Sequence, residues 1–271
     1  MLGGRKLYFM RSSDYKVLSL IIVFFICACS LPEIQRQETA TAYDEPKSLF
    51  FDASRKGDLV VVMRLVEEKI VDVNAADTYQ WTGLMYAVQN GHEELAEYFL
   101  SKKTRINRQD KDGLTPLMVA VNERHPGIVE LLLRAGASPV LKDKHGYTAL
   151  MWGIYNKSWD SIPLILATGK GLDLQNEFGE TALHLAVSYN QPDIVSLIVN
   201  NKASLNLQDK QGLTALMLAA KQGSVQMVSF LAENNADIRM KNREGKNALD
   251  LALENKQLKT VEYLEKINRQ K

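Results

Sequence analysis

Histidine, aspartate and cysteine are the residues of this chain that could do chemistry. The chain has four histidines, and no two of them stand four residues apart, the spacing that places two imidazoles on one helix face for a metal ion. Asp110, Asp143 and Asp209 could supply paired carboxylates for acid–base chemistry. The sequence contains no G-x-S-x-G, no Walker-type phosphate loop and no C-x-x-C. We therefore predict a protein that is not an enzyme and that has no metal site and no cofactor.

These aspartates lie in strings that resemble one another, which indicates an internal repeat. The strings include QDKDGLTPLMVAV, DKHGYTALMWG and QDKQGLTALMLAA, and QNEFGETALHLAV belongs to the same set. A fixed period predicts stacked units of secondary structure rather than one globular core. An earlier, degenerate unit brings the number of repeats to seven, because its Ala53 lies 34 residues before Ala87. The residues that mark the period, each 33 positions after the last, are Thr82, Thr115, Thr148, Thr181, Thr214 and Asn247.

The physical role of each residue type can be predicted within one unit. Asp110 and Gly113 supply turn chemistry, since Asp bonds to nearby backbone and Gly accepts a positive φ. Thr115 is expected to cap a helix that starts at Pro116, where the missing N–H costs nothing. The second helix of the unit carries the apolar run from Ile128 to Leu133, which must be buried against the next unit. The aspartates are therefore interpreted as turn residues rather than catalytic ones.

The strings TPLMVA, residues 115–120, and TALHLA, residues 181–186, resemble the ankyrin repeat, and the resemblance covers residues 48–271. It implies an all-α solenoid of about seven helix-turn-helix repeats with β-turn fingers. It also implies structural positions for His92, His125 and His184, and it leaves only His145 without one. At the family's histidine position four other repeats carry methionine, which predicts thioether packing there. These are Met85, Met118, Met151 and Met217.

Two departures from the family pattern predict irregular geometry. The turn between the two helices of a repeat usually has a left-handed backbone, and Arg124, Lys157 and Lys256 occupy that position, with Asn190 as a tolerable substitute. Pro163 falls inside the second helix of the fourth repeat and is expected to bend or shorten it.

In ankyrin proteins, partners usually meet the turn tips and the exposed side of the first helices. The resemblance therefore implies a partner-binding surface on which aromatic residues gather in the second, fourth and fifth repeats. The alternative is that these rings fold back over neighbouring turns and pack within the array. Trp152, beside Gly153, is expected to belong to the core. The residues predicted to bind a partner are Tyr79, Trp81, Leu114, Tyr147, Tyr155, Phe178 and Tyr189.

The N-terminus is expected to target the chain for export. A basic start precedes an apolar run from Val17 to Cys29, which is too short to span a bilayer and long enough for a signal-peptide core. The run ends in Ile-Cys-Ala-Cys, which resembles a bacterial lipobox and implies that Cys29 is lipidated. We predict a signal peptide at 1–28, a flexible tether at 29–47 and the repeat domain at 48–271. An ordinary signal peptide, an uncleaved anchor and a start at Met10 remain open.

Together these patterns predict a membrane-tethered, non-catalytic scaffold that binds a partner protein in the bacterial cell envelope. By resemblance to the bacterial sorting rule, Ser30 after the lipidated cysteine favours the outer membrane. Removal of residues 1–28 changes the formal net charge from +1 to −2, because four basic residues and one acidic residue are lost. A near-neutral chain lacks the charge of a nucleic-acid binder. We expect a monomer, and the alternative function is an enzyme or small-ligand-binding protein built on the same array.

Overall fold

The computed structural model describes residues 45–270, which fold into fourteen α-helices and contain no β-strand. Within this range no helix has both the length and the apolar character needed to cross a membrane. The helices form seven antiparallel pairs, which we number as repeats 1 to 7 and which confirm the predicted all-α solenoid. The pairs are α1 (Glu45–Lys56) and α2 (Leu59–Glu67), α3 (Gly83–Gln89) and α4 (Glu93–Ser101), α5 (Pro116–Asn122) and α6 (Pro126–Arg134), α7 (Ala149–Tyr155) and α8 (Ser161–Leu166), α9 (Ala182–Ser188) and α10 (Pro192–Asn200), α11 (Ala215–Gln222) and α12 (Val225–Glu233), and α13 (Ala248–Glu254) and α14 (Leu258–Gln270).

The first helix of repeats 2 to 7 begins directly after the residue that marks the period. Thr115 has an extended backbone, and its hydroxyl accepts the N–H of Met118 at 3.2 Å, while Pro116 occupies the first turn. Such a bond satisfies one of the donors that a helix start leaves unpaired, and its loss costs about 1 kcal/mol. The cap predicted at Thr115 is confirmed, and the other five positions of the series cap their helices in the same way, including Asn247, whose side chain accepts the N–H of Asp250.

The turn between the two helices of a repeat has a left-handed backbone, as predicted. Arg124, Lys157 and Lys256 have φ values of 60°, 58° and 57°, and Asn190 has a φ of 53°. A side chain in this region costs about 1 to 2 kcal/mol relative to glycine. The array therefore contains strained turns at these repeats, whereas Gly223 adopts the same conformation without that cost.

A continuous core runs through the helix pairs. The methionines that replace the family's histidine are fully buried, since Met85, Met118, Met151 and Met217 are each at most 1% exposed. The inner face of the first helices carries small residues that are also buried, which lets neighbouring helices approach closely. These small residues are Ala53, Ala87, Ala120, Gly153, Ala186, Ala219 and Ala252.

The β-turn before the first helix of repeats 2 to 7, which we call a finger, is built by its own aspartate or asparagine. In the finger of repeat 4, Asp143 Oδ1 accepts the backbone N–H groups of His145 and Tyr147 at 2.9 and 2.8 Å. Neighbouring fingers are joined by one backbone bond, such as the Lys144 N–H to the Asp112 carbonyl at 2.9 Å. This confirms the turn role assigned to the aspartates. The fingers are residues 77–81, 110–114, 143–147, 176–180, 209–213 and 242–246.

Repeat 4 is the irregular one, as Pro163 predicts. Its second helix, α8, has six residues, whereas the second helices of repeats 1, 2, 3, 5 and 6 have nine. Pro163 has no N–H to donate, so it is accommodated only in the first turn, where that bond would be absent anyway. The helix therefore begins late and is short.

The two ends of the array differ. Helix α1 begins at Glu45, three residues before the predicted start of the domain, and it includes Pro46 in its first turn, where proline is favoured. Helix α14 carries exposed charged residues on its outer side, as expected of a terminal cap. They are Lys259, Glu262, Glu265 and Lys266.

Candidate functional site

The histidines at the turn between paired helices join neighbouring repeats. His92 Nε2 lies 2.9 Å from the Arg55 carbonyl oxygen, and the ring covers Gly57 so closely that a Cβ there would lie 2.6 Å from His92 Nδ1. His125 makes the same kind of contact with the Gln89 carbonyl at 3.4 Å. Between residues 45 and 270 no group of three or more His, Cys, Asp or Glu side chains could hold a metal ion. Both histidine rings are used in contacts with the preceding repeat.

His184 is buried in repeat 5 and caps its own helix. The Thr181 backbone N–H donates to Nδ1 at 3.2 Å, and the Thr181 hydroxyl lies 2.8 Å from the same nitrogen. Because Nδ1 accepts, the proton is on Nε2, which donates to the Leu213 carbonyl of the next repeat at 3.0 Å. Burial lowers the pKa of His184 below its ordinary value, so the ring is neutral at pH 7. Protonation of Nδ1 would remove the acceptor of the Thr181 N–H, so only the neutral ring makes both bonds.

We expect His184→Met, which installs the residue of the neighbouring repeats, to change how stability depends on pH. At pH 7 the variant loses two hydrogen bonds, which costs about 1 to 2 kcal/mol. The folded chain has the lower pKa, so the wild type loses stability as pH falls below the unfolded value near 6.5. The stability difference between the two proteins should therefore shrink between pH 7 and pH 5 in urea titrations. A difference that stays constant over this range would contradict the assignment.

Two aromatic rings stand at finger tips. Tyr79 is 53% exposed and Phe178 is 49% exposed, in repeats 2 and 5. The backbone at both positions is fixed, because the carbonyls of Tyr79 and Phe178 accept the N–H groups of Lys111 and Lys210 from the next finger at 3.1 and 2.9 Å. A fixed backbone that presents a large ring to solvent is suited to contact with a partner.

Four further rings form a row along the first helices of repeats 4 and 5, which we call the aromatic row. The ring centres of Tyr147 and Trp152 lie 5.9 Å apart, those of Trp152 and Tyr155 lie 6.0 Å apart, and those of Tyr155 and Tyr189 lie 5.9 Å apart. Edge-to-face and tilted contacts at these distances are favourable. The row is half-buried at Tyr147 and 41% exposed at Tyr189. Its outer end is therefore the part that a partner can reach.

The inner rings bind the following finger. The Tyr147 hydroxyl lies near the side chain of Asn176 of repeat 5, and burial raises its pKa above the ordinary value. Trp81, at the equivalent position of repeat 2, is buried, and its indole N–H donates to Asp110 of repeat 3 at 2.8 Å. Its ring packs 5.3 Å from that of Tyr86. Both side chains fold over the next repeat, which is the alternative considered from the sequence.

The structure thus divides the residues predicted to bind a partner. Tyr79, Phe178 and Tyr189 are exposed, whereas Leu114, Tyr147 and Tyr155 are half-buried. Trp81, which was predicted to contact a partner, is buried instead, because its indole N–H donates to Asp110 within the array.

Trp152, which was expected in the core, is half-buried and lies in the aromatic row. Its indole N–H donates to Asp143 at 3.1 Å. Its place in the row could have been found from its helical spacing, three residues before Tyr155.

A comparison with protein families gives one match that covers most of the chain. The model described as ankyrin repeats in three copies matches five overlapping stretches, residues 19–110, 49–143, 104–176, 150–242 and 184–270.

Solved structures give the same fold. The human ASB11 ankyrin repeat domain is 25% identical with a TM-score of 0.64, over 78% of this chain and 96% of that one. The ankyrin repeat domain of Bcl-3, a member of the IkappaB protein family, is 23% identical with a TM-score of 0.73, over 79% and 97%. A chain in the structure of the predatory endopeptidase Bd0816 from Bdellovibrio bacteriovorus in complex with immunity protein Bd3460 is 30% identical with a TM-score of 0.59, over 68% and 97%.

Proposed function

The chain belongs to the ankyrin-repeat family, and on that premise we propose that it is a non-catalytic scaffold that binds a partner protein through its fingers and first helices. The observation that carries this proposal is the exposure of two rings of repeat 5, Phe178 at a finger tip and Tyr189 at the outer end of the aromatic row. Tyrosine and phenylalanine bury much area with few rotatable bonds, which is why aromatic residues dominate binding hot spots.

The likeness to a chain from an endopeptidase–immunity protein complex supports a protein partner. It favours, as this partner, an enzyme whose activity is restrained by binding to the array. The surface suits such a partner better than a metabolite, because finger tips and helix faces of a repeat array present a broad, open surface rather than a deep pocket.

The proposal includes a lipid anchor at Cys29, which lies outside the described residues. The lipobox-like end of the apolar run supports it, and Ser30 favours the outer membrane, with the array facing the periplasm or the cell surface. Acyl chains contribute about 0.8 kcal/mol for each buried CH₂, so several chains hold a protein on a membrane without a spanning helix.

Replacement of Cys29 by alanine tests the anchor. We expect Cys29→Ala to abolish incorporation of a radioactive fatty acid and to move the protein out of the membrane fraction. Ser30→Ala is the matched control, because it leaves the acceptor thiol in place and should keep the label. Label and membrane association that persist in Cys29→Ala would exclude lipidation at this residue.

The alternative function is an enzyme or small-ligand-binding protein on the same array. Chemical crosslinking in envelope fractions, followed by purification, distinguishes it from the scaffold. The scaffold proposal expects one predominant crosslinked protein. Recovery of a bound metabolite with no crosslinked protein would favour the alternative.

A further inference from the structure

Side chains bridge neighbouring repeats by hydrogen bonds at fixed positions of the 33-residue period. At the first of these positions an Asn or Asp oxygen accepts a backbone N–H of the next repeat. Asn107 accepts from Ser138 at 2.8 Å, and Asp173 accepts from Ser204 at the same distance. Equivalent bonds run from Arg105 to Asn74 at 2.7 Å and from Asp237 to Asn206 at 2.8 Å.

The junction between repeats 4 and 5 lacks this bridge, because Val140 stands where the other repeats have Asn or Asp. A valine side chain has no acceptor, and Val140 instead packs toward Gly171, where a Cβ would lie 3.2 Å from Val140 Cγ1. The side chain is 39% exposed, so this packing excludes little water. The contact therefore does not replace the bond.

A second bridge joins the turns between paired helices. Gln222 reaches the Ser188 carbonyl at 3.2 Å to join repeats 5 and 6, and Gln257 reaches the Lys221 carbonyl at 3.4 Å to join repeats 6 and 7. His92 and His125 serve repeats 1 to 3, as described above. Gln191 stands at the period position of His92, His125 and Gln257, two residues after that of Gln222, and it donates to the Tyr189 carbonyl of its own repeat at 3.1 Å. At the same position Ser158 and Ser224 also bond within their own repeats. The bridge to repeat 4 is thus absent at this position.

A third bridge is made by glutamine before the finger. Gln175 donates both to Gly179 of its own finger and to the Gln208 carbonyl of the next repeat, at 2.6 and 2.9 Å. In repeat 4 this position is Lys142, whose flexible ammonium makes a single exposed bond to the Gln175 carbonyl at 2.7 Å. The short helix α8 also lies on this side of the junction.

The contacts that remain between repeats 4 and 5 lie mainly at the fingers and in the aromatic row. The Glu177 N–H donates to the His145 carbonyl at 2.9 Å, and the ring of Tyr155 meets that of Tyr189. On the side facing the second helices, this junction lacks the Asn or Asp bridge and keeps the single bond from Lys142. When contacts are missing on one side of a junction and kept on the other, the two rigid parts can rotate about the side that is kept.

We infer that the junction between repeats 4 and 5 is a hinge of the array and that the contact between Tyr155 and Tyr189 is its latch. Repeats 1 to 4 and repeats 5 to 7 then move as two bodies, and local opening begins at Val140. A partner that covers both rings holds the hinge closed, a consequence that rests on the function proposed above.

Hydrogen exchange on the full-length chain, purified in detergent, tests the hinge without any partner. Backbone amides of α8 and of the 167–173 segment should exchange faster than those of α12 and of the 233–239 segment, where the Asp237 N–H is held by Asn206, since local opening of low free energy exposes them. Val140→Asn restores the missing acceptor and should slow exchange across the junction about fivefold, the amount expected of one net hydrogen bond.

Two controls make the hinge specific. Asn107→Val removes the same bridge between repeats 3 and 4 and should speed exchange there, while Tyr155→Ala should speed exchange in repeats 4 and 5 only. Equal exchange at all junctions, or an unchanged rate in both Val140→Asn and Tyr155→Ala, would overturn the hinge. Either result would leave the proposed partner binding intact, because that proposal is tested by crosslinking.

Discussion

Gly212→Ala is expected to destabilise the array by about 2 to 4 kcal/mol, through two separate effects. Gly212 has a φ of 79°, which is strained for any other residue. An added Cβ would also lie 2.7 Å from the backbone nitrogen of Arg243 and 3.0 Å from Asn242 Cα. These are backbone atoms of the next finger and cannot move without breaking the bond from the Arg243 N–H to the Gln211 carbonyl.

Gly245→Ala is the matched control. Gly245 has nearly the same φ, 77°, in the last finger, and an added Cβ would meet nothing within 4 Å. Gly245→Ala should lower the free energy of unfolding by only about 1 kcal/mol. The left-handed strain is partly offset, because alanine also removes conformational entropy from the unfolded chain. Urea unfolding of both variants separates the two effects. If the two variants lose the same stability, the close approach of neighbouring fingers contributes nothing.

The second large effect concerns partner binding. Phe178→Ala should weaken binding by about 2 kcal/mol or more, roughly thirtyfold in Kd, with unfolding unchanged, because the ring is half exposed and its backbone is held by Lys210. Leu258→Ala is the control, since this side chain is 78% exposed at the start of α14, on the terminal cap. It should change neither binding nor stability.

Tyr147→Ala should behave in the opposite way. The ring is half-buried and packs on Trp152 and the core, so its removal should lower stability by about 1 to 3 kcal/mol. Binding measured by titration calorimetry well below the unfolding temperature would then change mainly through the loss of folded protein. If Phe178→Ala instead binds normally but is less stable, the Phe178 ring serves the fold rather than the partner.

Much of the fold follows from local rules that one repeat is enough to reveal. Thr115 predicts a cap because its oxygen satisfies an unpaired N–H, and the left-handed turn at Lys157 follows from its register with the glycines of other repeats. Pro163 predicts a short α8 because proline cannot donate in a helix interior. Each of these predictions depends on backbone chemistry within a few residues.

The candidate site was harder to predict because its geometry depends on the neighbouring repeat. The sequence places Trp81 and Tyr147 on the finger side of the array, but only the stacked structure shows that both rings reach the Asp or Asn of the next finger. The register alone also does not show that Gln191 bonds within its own repeat. Val140 could have been recognised earlier, because it interrupts an Asn or Asp series of constant spacing.

Photocrosslinking in intact cells tests the central claim most directly, since it reports which face of the array a protein occupies. A photoreactive residue is placed at Phe178, on the finger tip, or at Gln226, which is exposed on the outer side of α12. We predict that the probe at 178 crosslinks to one protein and that the probe at 226 does not. Equal crosslinking at both positions, or crosslinking at 226 alone, would contradict partner binding through the fingers and first helices.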